Sequence, residues 1–124
     1  MMKKKILIID DEERIRKIYT RLFQAIGSGI FEVLEAESAE TATDYLIREK
    51  LDLVLLDIKM PDIDGVQLYE IIREFNPNLE IIVASVYPIE EQKKLIPYAS
   101  AYYDKSEGPI KLLEKVSSTL VSHD

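Results

Sequence analysis

The sequence predicts an α/β fold in which parallel strands alternate with helices. Short, nearly continuous apolar runs, such as Ile6–Ile9 and Leu53–Leu56, are typical of strands buried on both faces. Segments with apolar residues at helical spacing separate them, and the alternation favours right-handed βαβ units. With 124 residues the chain is long enough for one domain with its own core.

The five predicted strands differ in how much surface they bury. Residues 5–9, 51–56 and 80–84 are the most continuous apolar runs, which favours central positions in a sheet. Residues 31–36 alternate partly between polar and apolar side chains, as an edge strand does. Residues 99–103 form a short fifth strand.

The helices are predicted from periodicity and from residues that begin or end them. They cover residues 12–26, 39–49, 65–75, 89–97 and about 109–120. Gly27 ends the first helix, Ser38 caps the second and Asp64 caps the third. The fourth is weak and short because Pro97 can only end or kink a helix, whereas Pro109 suits a helix start.

Composition excludes several classes of function. The net charge is −7, from 16 basic and 23 acidic residues, which argues against binding to nucleic acid or to an anionic membrane. There is no cysteine, hence no disulfide and no zinc-finger spacing. Asp10 interrupts the first apolar run too early for a signal peptide, and no run reaches membrane-spanning length. A cytoplasmic protein is expected.

Ionisable side chains follow the predicted strands. Asp10 and Asp11 follow the first strand and Asp57 follows the third. Because parallel strands present their carboxyl ends at one edge, where α/β sheets bind ligands, three carboxylates are expected to converge there. Such a cluster takes up a proton or binds a cation. Oxygen ligands without His or Cys favour magnesium or calcium.

Two further strands end in polar residues, Ser85 and Lys105. Each residue of the set has an ordinary explanation as a cap, a strand-end hydroxyl or a solvated lysine. Together they are the groups that phosphoryl transfer needs: a carboxylate nucleophile, metal-binding carboxylates, and a hydroxyl and an ammonium for the phosphoryl oxygens.

Four motifs, ILIIDDE, LVLLDIKMPDIDG, IIVAS and YYDKS, resemble the receiver domain of two-component response regulators in order and spacing. The resemblance covers essentially the whole chain, 1–124. It implies a flavodoxin-like fold, a five-stranded parallel sheet of order 2-1-3-4-5 with helices on both faces.

The resemblance also implies roles for individual residues. Asp57 would accept a phosphoryl group from a phosphohistidine on a histidine kinase or a histidine phosphotransfer protein, and Ser85 and Lys105 would bind its oxygens. Tyr102 would be the switch aromatic of a responsive surface formed by the fourth strand, fourth helix and fifth strand. Mg2+ would be held by Asp10, Asp11, Asp57 and the backbone carbonyl of Lys59. The chain would catalyse only its own phosphorylation and dephosphorylation and act on an output partner that the sequence does not name.

Several residues depart from the family pattern. Val86 stands where a small residue is usual, so we expect it to crowd the phosphoryl pocket and slow small phosphodonors. Lys59 and Tyr87 flank the same opening and either screen it or extend into solvent. Ser106 replaces the usual proline, so either the Lys105–Ser106 bond is cis, at a cost of about 3–4 kcal/mol, or the loop is rebuilt.

The first helix carries a wide apolar stripe. Ile18 and Leu22 are expected in the core, and Ile15 either packs there or docks the phosphohistidine protein, as this end of the helix does in receivers. His123 is expected to be a solvated tail residue.

Three rival interpretations make different demands on the sequence. A phosphohydrolase of the haloacid-dehalogenase type requires an aspartate at the position of Lys59, and a calcium loop requires a glutamate at Ile71. A receiver-like docking module that works without phosphorylation stays open, although Asp10, Asp11 and Lys105 argue against it. A stand-alone receiver and the receiver of a longer regulator are equally compatible with the sequence.

Overall fold

The computed structural model describes residues 3–27, 29–60 and 63–121. Its centre is a sheet of five parallel strands: β1 Lys4–Ile9, β2 Phe31–Ala36, β3 Leu53–Asp57, β4 Glu80–Ser85 and β5 Ala101–Asp104. The strand order is β2-β1-β3-β4-β5. The predicted α/β fold and strand order are therefore confirmed, including the edge position of residues 31–36.

In the described part of the chain, five α-helices cover the two faces of the sheet: α1 Glu13–Gly27, α2 Ala39–Arg48, α3 Gly65–Phe75, α4 Ile89–Leu95 and α5 Pro109–Val121. Alternate residues of each central strand face opposite sides. Ile6 and Ile8 pack with α1 and α5, whereas Leu7 and Ile9 pack with α2 and α3. The described residues contain no helix long and apolar enough to cross a membrane.

The prediction of which α1 side chains lie in the core is partly wrong. Tyr19 and Phe23, four residues apart, are buried against the sheet, and Leu22 packs at the margin of the same core. Ile18, which was expected in the core, is 44% exposed, because the orientation that buries Tyr19 and Phe23 turns it outward. Ile15 is half-buried and touches the core, so both expectations for it remain open.

The loop after β5 is rebuilt around hydrogen bonds. The described residues contain no cis peptide bond, so the cis alternative for Lys105–Ser106 is wrong. Asp104 caps a short 3-10 helix, Lys105–Glu107, by accepting from the N–H of Ser106, while Glu107 accepts from the N–H of Asp104. Ser106 thus supplies an N–H that proline lacks.

Other predicted elements shift slightly or fall outside the described residues. Helix α4 is short, as expected, and β5 begins at Ala101 rather than at residue 99. A two-residue antiparallel pair, Lys59–Met60 with Ile63–Asp64, follows β3 and was not predicted. Pro61, Asp62 and His123 lie outside the described residues.

Candidate functional site

Strand register brings the predicted site residues to one edge of the sheet. Ile9 pairs with Leu56, so Asp10 and Asp57 each stand one residue beyond the same pairing. Asp57 pairs with Ala84, and the next residue, Ser85, pairs with Asp104 of β5. Lys105 follows directly. The carboxyl ends of four strands therefore supply Asp10, Asp57, Ser85 and Lys105 to a single site.

Lys105 connects the two buried carboxylates. Its Nζ donates to Asp10 Oδ2 at 2.9 Å and to Asp57 Oδ2 at 3.3 Å. Asp10 is 2% exposed and Asp57 4% exposed, so the two ion pairs are largely removed from water. The other oxygen of each carboxylate accepts a backbone N–H, from Glu12 and from Lys59 respectively. Both side chains are thereby fixed in orientation.

The pKa values of Asp57 and Lys105 both lie above their ordinary values. Burial raises the pKa of Asp57 to about 6, and the nearby Asp10 also raises it, while the N–H of Lys59 and the ammonium of Lys105 partly offset these effects. Burial alone would lower the pKa of Lys105, but Asp10 and Asp57 outweigh it and hold that pKa above its ordinary value. At neutral pH Lys105 is therefore charged, and Asp57 is ionised although its burial disfavours the charge.

Three acidic side chains form a second cluster at the same edge. Carboxylate oxygens of Asp10, Asp11 and Glu12 lie within 4.8 Å of one another. Sequence reasoning missed Glu12, which stands in the same acidic run and could have been included. The donor set consists of hard oxygens only, which fits a magnesium ion and not a thiophilic metal. Asp57, a predicted ligand, is not a member of this cluster but shares the partner Lys105 with Asp10.

Arg16 fixes the backbone of the acidic loop. Its Nη1 donates to the carbonyl oxygen of Asp10 at 2.8 Å and its Nε donates to Glu35 of β2 at 3.3 Å. Glu35 also accepts from Lys17 and Thr20. The loop between β1 and α1 is consequently tied to both α1 and the neighbouring strand.

Gly65 permits the close packing of α3 beside Asp57. A Cβ at this position would lie 2.3 Å from the Cα of Ile58, which is far inside van der Waals contact. Asp64 caps α3 by accepting from the N–H groups of Val66 and Gln67. The first turn of α3 therefore lies directly against the backbone that carries Asp57.

Ser85 and Tyr102 occupy the positions that the sequence assigns to a switch. Ser85 is fully buried, and its Oγ accepts the N–H of Tyr87 at 3.2 Å. Tyr102 is half-buried; its hydroxyl donates to the carbonyl of Ile96 and accepts the N–H of Ala99 at 3.2 Å. Both residues are thus bonded to the segments that flank α4.

A pocket of about 440 Å³ opens over the site. Its lining includes Asp57, Lys105, Val86 and Lys59. Val86 is 59% exposed at this rim. Tyr87 does not line the pocket, but Lys59 Nζ lies 5.5 Å from the centroid of its ring. The two residues therefore interact with each other beside the opening.

A parallel α/β sheet with a buried aspartate, a paired lysine and an acidic cluster at its carboxyl edge presents the groups needed for phosphoryl transfer to a carboxylate. The chain belongs to the response regulator receiver domain family, whose model matches residues 6–117.

Curated relatives agree with this assignment. The chain is 33% identical over 99 residues to the sporulation initiation phosphotransferase F of Bacillus subtilis, covering 77% of each chain. It is 32% identical to the chemotaxis protein CheY of Treponema pallidum, over 94% of this chain and 82% of that protein. It spans only 51% of another relative, the regulatory protein VanRc of Enterococcus gallinarum, at 32% identity.

Solved structures give the same result. A CheY-like receiver domain protein from Methanospirillum hungatei aligns with a TM-score of 0.88 at 30% identity, over 98% of this chain and 96% of that one. The response regulator TrrA of Thermotoga maritima, in complex with magnesium and beryllium fluoride, aligns with a TM-score of 0.83 at 33% identity, over 94% and 99% of the chains.

Membership of the family fixes the general function. The chain is a receiver domain of the two-component type, and receiver domains are phosphoacceptors. They bind Mg2+ at an acidic pocket and interact with histidine kinases or phosphotransfer proteins and with output domains. A docking module that works without phosphorylation is not favoured.

Proposed function

We propose that Asp57 is the phosphoacceptor of this receiver domain. The observation that carries the proposal is the pair of bonds from Lys105 to Asp57 and Asp10, which places a buried carboxylate beside a fixed positive charge. An oxygen of Asp57 would form a bond to phosphorus while the phosphorus–nitrogen bond to the donor histidine breaks. The imidazole would leave with the electron pair of that bond.

Residues of the chain supply the other groups for this step. Lys105, already charged and directed at Asp57, would bind a phosphoryl oxygen, and the Ser85 hydroxyl would bind another. The proposed ligands of Mg2+ are Asp10, Asp11, Asp57 and the backbone carbonyl of Lys59. When bound, the ion supplies positive charge for the phosphoryl oxygens. Glu12 lies close enough to Asp10 and Asp11 to take part through its carboxylate.

The consequence of phosphorylation would be a change in the surface formed by β4, α4 and β5. The phosphoryl group adds negative charge and acceptor oxygens next to Ser85 and Lys105. A shift of Ser85 would disturb its bond to Tyr87, and Tyr102 would respond from the neighbouring strand. An output partner would bind the changed surface. The chain would act on no separate substrate and would catalyse only its own phosphorylation and dephosphorylation.

Val86, Lys59 and Tyr87 are proposed to limit access to Asp57. Val86 and Lys59 line the pocket, and the contact with Tyr87 holds the Lys59 ammonium near its rim. A phosphohistidine protein would approach from α1, where Ile15 lies beside the acidic loop. Direct binding to nucleic acid is not proposed, in keeping with the charge of −7. The cytoplasmic location stays a prediction.

Intact-mass measurement tests the proposed function. The chain is incubated with magnesium and either a small phosphodonor or a phosphorylated histidine protein, beside Asp57→Asn as the control. We expect a single phosphoryl addition to the wild type, its loss when magnesium is chelated, and none on the variant. Phosphorylation of Asp57→Asn at the wild-type level would exclude Asp57 as the acceptor.

A further inference from the structure

Gln92 is a buried polar residue for which the phosphorylation site gives no account. It lies on α4, and its side chain is fully buried. Its Nε2 donates to two backbone carbonyls, that of Tyr87 at 2.7 Å and that of Tyr103 at 3.0 Å. Among the buried side-chain atoms of residues 3–27, 29–60 and 63–121, its Oε1 is the one without a hydrogen-bond partner.

The two carbonyls fix the orientation of the Gln92 amide. A rotation by half a turn would bring Oε1 against the oxygens of Tyr87 and Tyr103, where two acceptors would face a third. The present arrangement therefore satisfies both donors and leaves the acceptor unmet. A buried acceptor without a partner is unfavourable, so a rearrangement that offers it a donor is favoured.

The N–H of Tyr87 is a candidate donor for Oε1. The N–H of Tyr87 bonds to Ser85 Oγ, and the carbonyl of the same residue accepts from Gln92. Tyr87 thus connects the proposed phosphoryl ligand with the buried glutamine through its own backbone. When Ser85 Oγ shifts toward a phosphoryl oxygen, the part-buried Tyr87 N–H loses its acceptor.

We propose that Gln92 is the positioning residue that transmits phosphorylation to α4 and β5 by exchanging hydrogen bonds with Ser85. Before phosphorylation Nε2 ties the Tyr87 and Tyr103 carbonyls to α4. Afterwards Oε1 accepts the released Tyr87 N–H while Nε2 keeps its bond to the Tyr87 carbonyl, and the amide, drawn toward Tyr87, loosens its bond to Tyr103. Since Tyr103 adjoins Tyr102 and lies two residues before Lys105, the change reaches the proposed switch surface. The inference rests on the proposed function.

NMR of the amide signals of the whole chain tests this change of hydrogen-bond partners in two independent arms. In the first arm the wild type is loaded with magnesium and beryllium fluoride, a mimic of the acyl phosphate. We expect the side-chain NH2 signals of Gln92 to move and the Tyr87 amide to stay protected from solvent exchange. In Gln92→Met, loading should speed exchange of the Tyr87 amide about fivefold or more, because no acceptor replaces Ser85. Gln24→Met, the same substitution at an exposed position of α1, should behave as the wild type.

The second arm needs no loading. Ser85→Ala removes the acceptor of the Tyr87 N–H, so the Gln92 NH2 signals of this variant should move in the direction seen in the loaded wild type. If the Gln92 signals do not move in Ser85→Ala, the proposed change of hydrogen-bond partners is wrong, whether or not Gln92→Met folds. Loading that shifts the Lys59 and Lys105 amides without moving Gln92 would overturn it while the proposed function stands. If loading shifts neither the Lys59 nor the Lys105 amide signal, the proposed function is contradicted instead. The Ser85→Ala arm alone then tests whether Gln92 changes its hydrogen-bond partners.

Discussion

Asp57 combines two properties that oppose each other. It is buried at the end of a central strand, which disfavours its charge, and it pairs with Lys105, which favours it. Burial dominates and raises its pKa to about 6, so the carboxylate is ionised at neutral pH but poorly solvated. A poorly solvated carboxylate beside a lysine is well prepared to act as a nucleophile.

This balance predicts the pH dependence of stability in the absence of divalent metal. The folded protein holds the Asp57 proton more tightly than the unfolded chain, whose carboxyl has the ordinary pKa of 3.8. Folding therefore binds protons between about pH 4 and pH 6, and the free energy of unfolding falls as pH rises through that window. Asp57→Asn should remove the effect and stabilise the metal-free protein by about 1–3 kcal/mol at pH 7.5.

Urea denaturation at several pH values, with a chelator present, measures this difference. The stabilisation by Asp57→Asn should shrink toward zero below about pH 4, where Asp57 is protonated in both states. Asp44→Asn, at an exposed position of α2, is the matched control and should change stability little. A destabilised Asp57→Asn at neutral pH would show that the pairing with Lys105 outweighs burial.

Val86 gives a prediction about donor size. Val86→Ala should open the rim of the pocket and raise the rate of phosphorylation by a small phosphodonor several-fold. Transfer from a phosphohistidine protein should change less, because docking already directs its phosphoryl group at Asp57. Val121→Ala, at an exposed position of α5, controls for the loss of methyl groups. Equal rates in Val86→Ala and wild type with the small donor would show that Val86 does not restrict access.

At the scale of elements, α1 presents an apolar side chain that the core does not use. Ile18 is exposed one turn after Ile15, on the helix that begins beside the acidic loop. Ile18→Ala should slow transfer from the phosphohistidine protein and leave phosphorylation by a small phosphodonor unchanged, because only the former requires docking. Ile47→Ala on α2, which covers the opposite face of the sheet, should affect neither reaction. Equal slowing with both donors would place the effect at the site and not at a docking surface.

The loop after β5 gives a prediction about the placement of Lys105. Asp104 Oδ1 accepts from both the N–H and the hydroxyl of Ser106. Asp104→Ala should loosen the 3-10 turn, lower the denaturation midpoint slightly and slow phosphorylation of Asp57. Asp104→Asn keeps an acceptor oxygen and should restore most of the rate. A rate in Asp104→Ala equal to that of the wild type would mean that the ion pairs with Asp10 and Asp57 alone position Lys105.

At the scale of the whole molecule, local patterns predicted the architecture well. Apolar runs that end in polar residues located the strands, and the rule that parallel strands share a carboxyl edge brought Asp10, Asp57, Ser85 and Lys105 together. Single residues such as Ser38 and Asp64 fixed helix starts because capping is a local interaction.

Features that depend on tertiary packing were not predictable from these patterns. The outward position of Ile18 follows from how Tyr19 and Phe23 seat α1 on the sheet. Burial of Gln92 follows from the approach of α4 to two backbone carbonyls. The turn at Ser106 depends on hydrogen bonds made by Asp104 and Glu107. Periodicity contains no information on any of these.

Identification of the phosphorylated residue is the most direct test of the central claim. The chain is phosphorylated by a phosphohistidine protein with magnesium, reduced with borohydride, which converts an aspartyl phosphate to homoserine, and mapped by peptide mass spectrometry. We expect homoserine at position 57 alone, and none when magnesium is chelated. Homoserine at Asp10 or Asp11, or a phosphoryl group on a residue other than aspartate, would contradict the account.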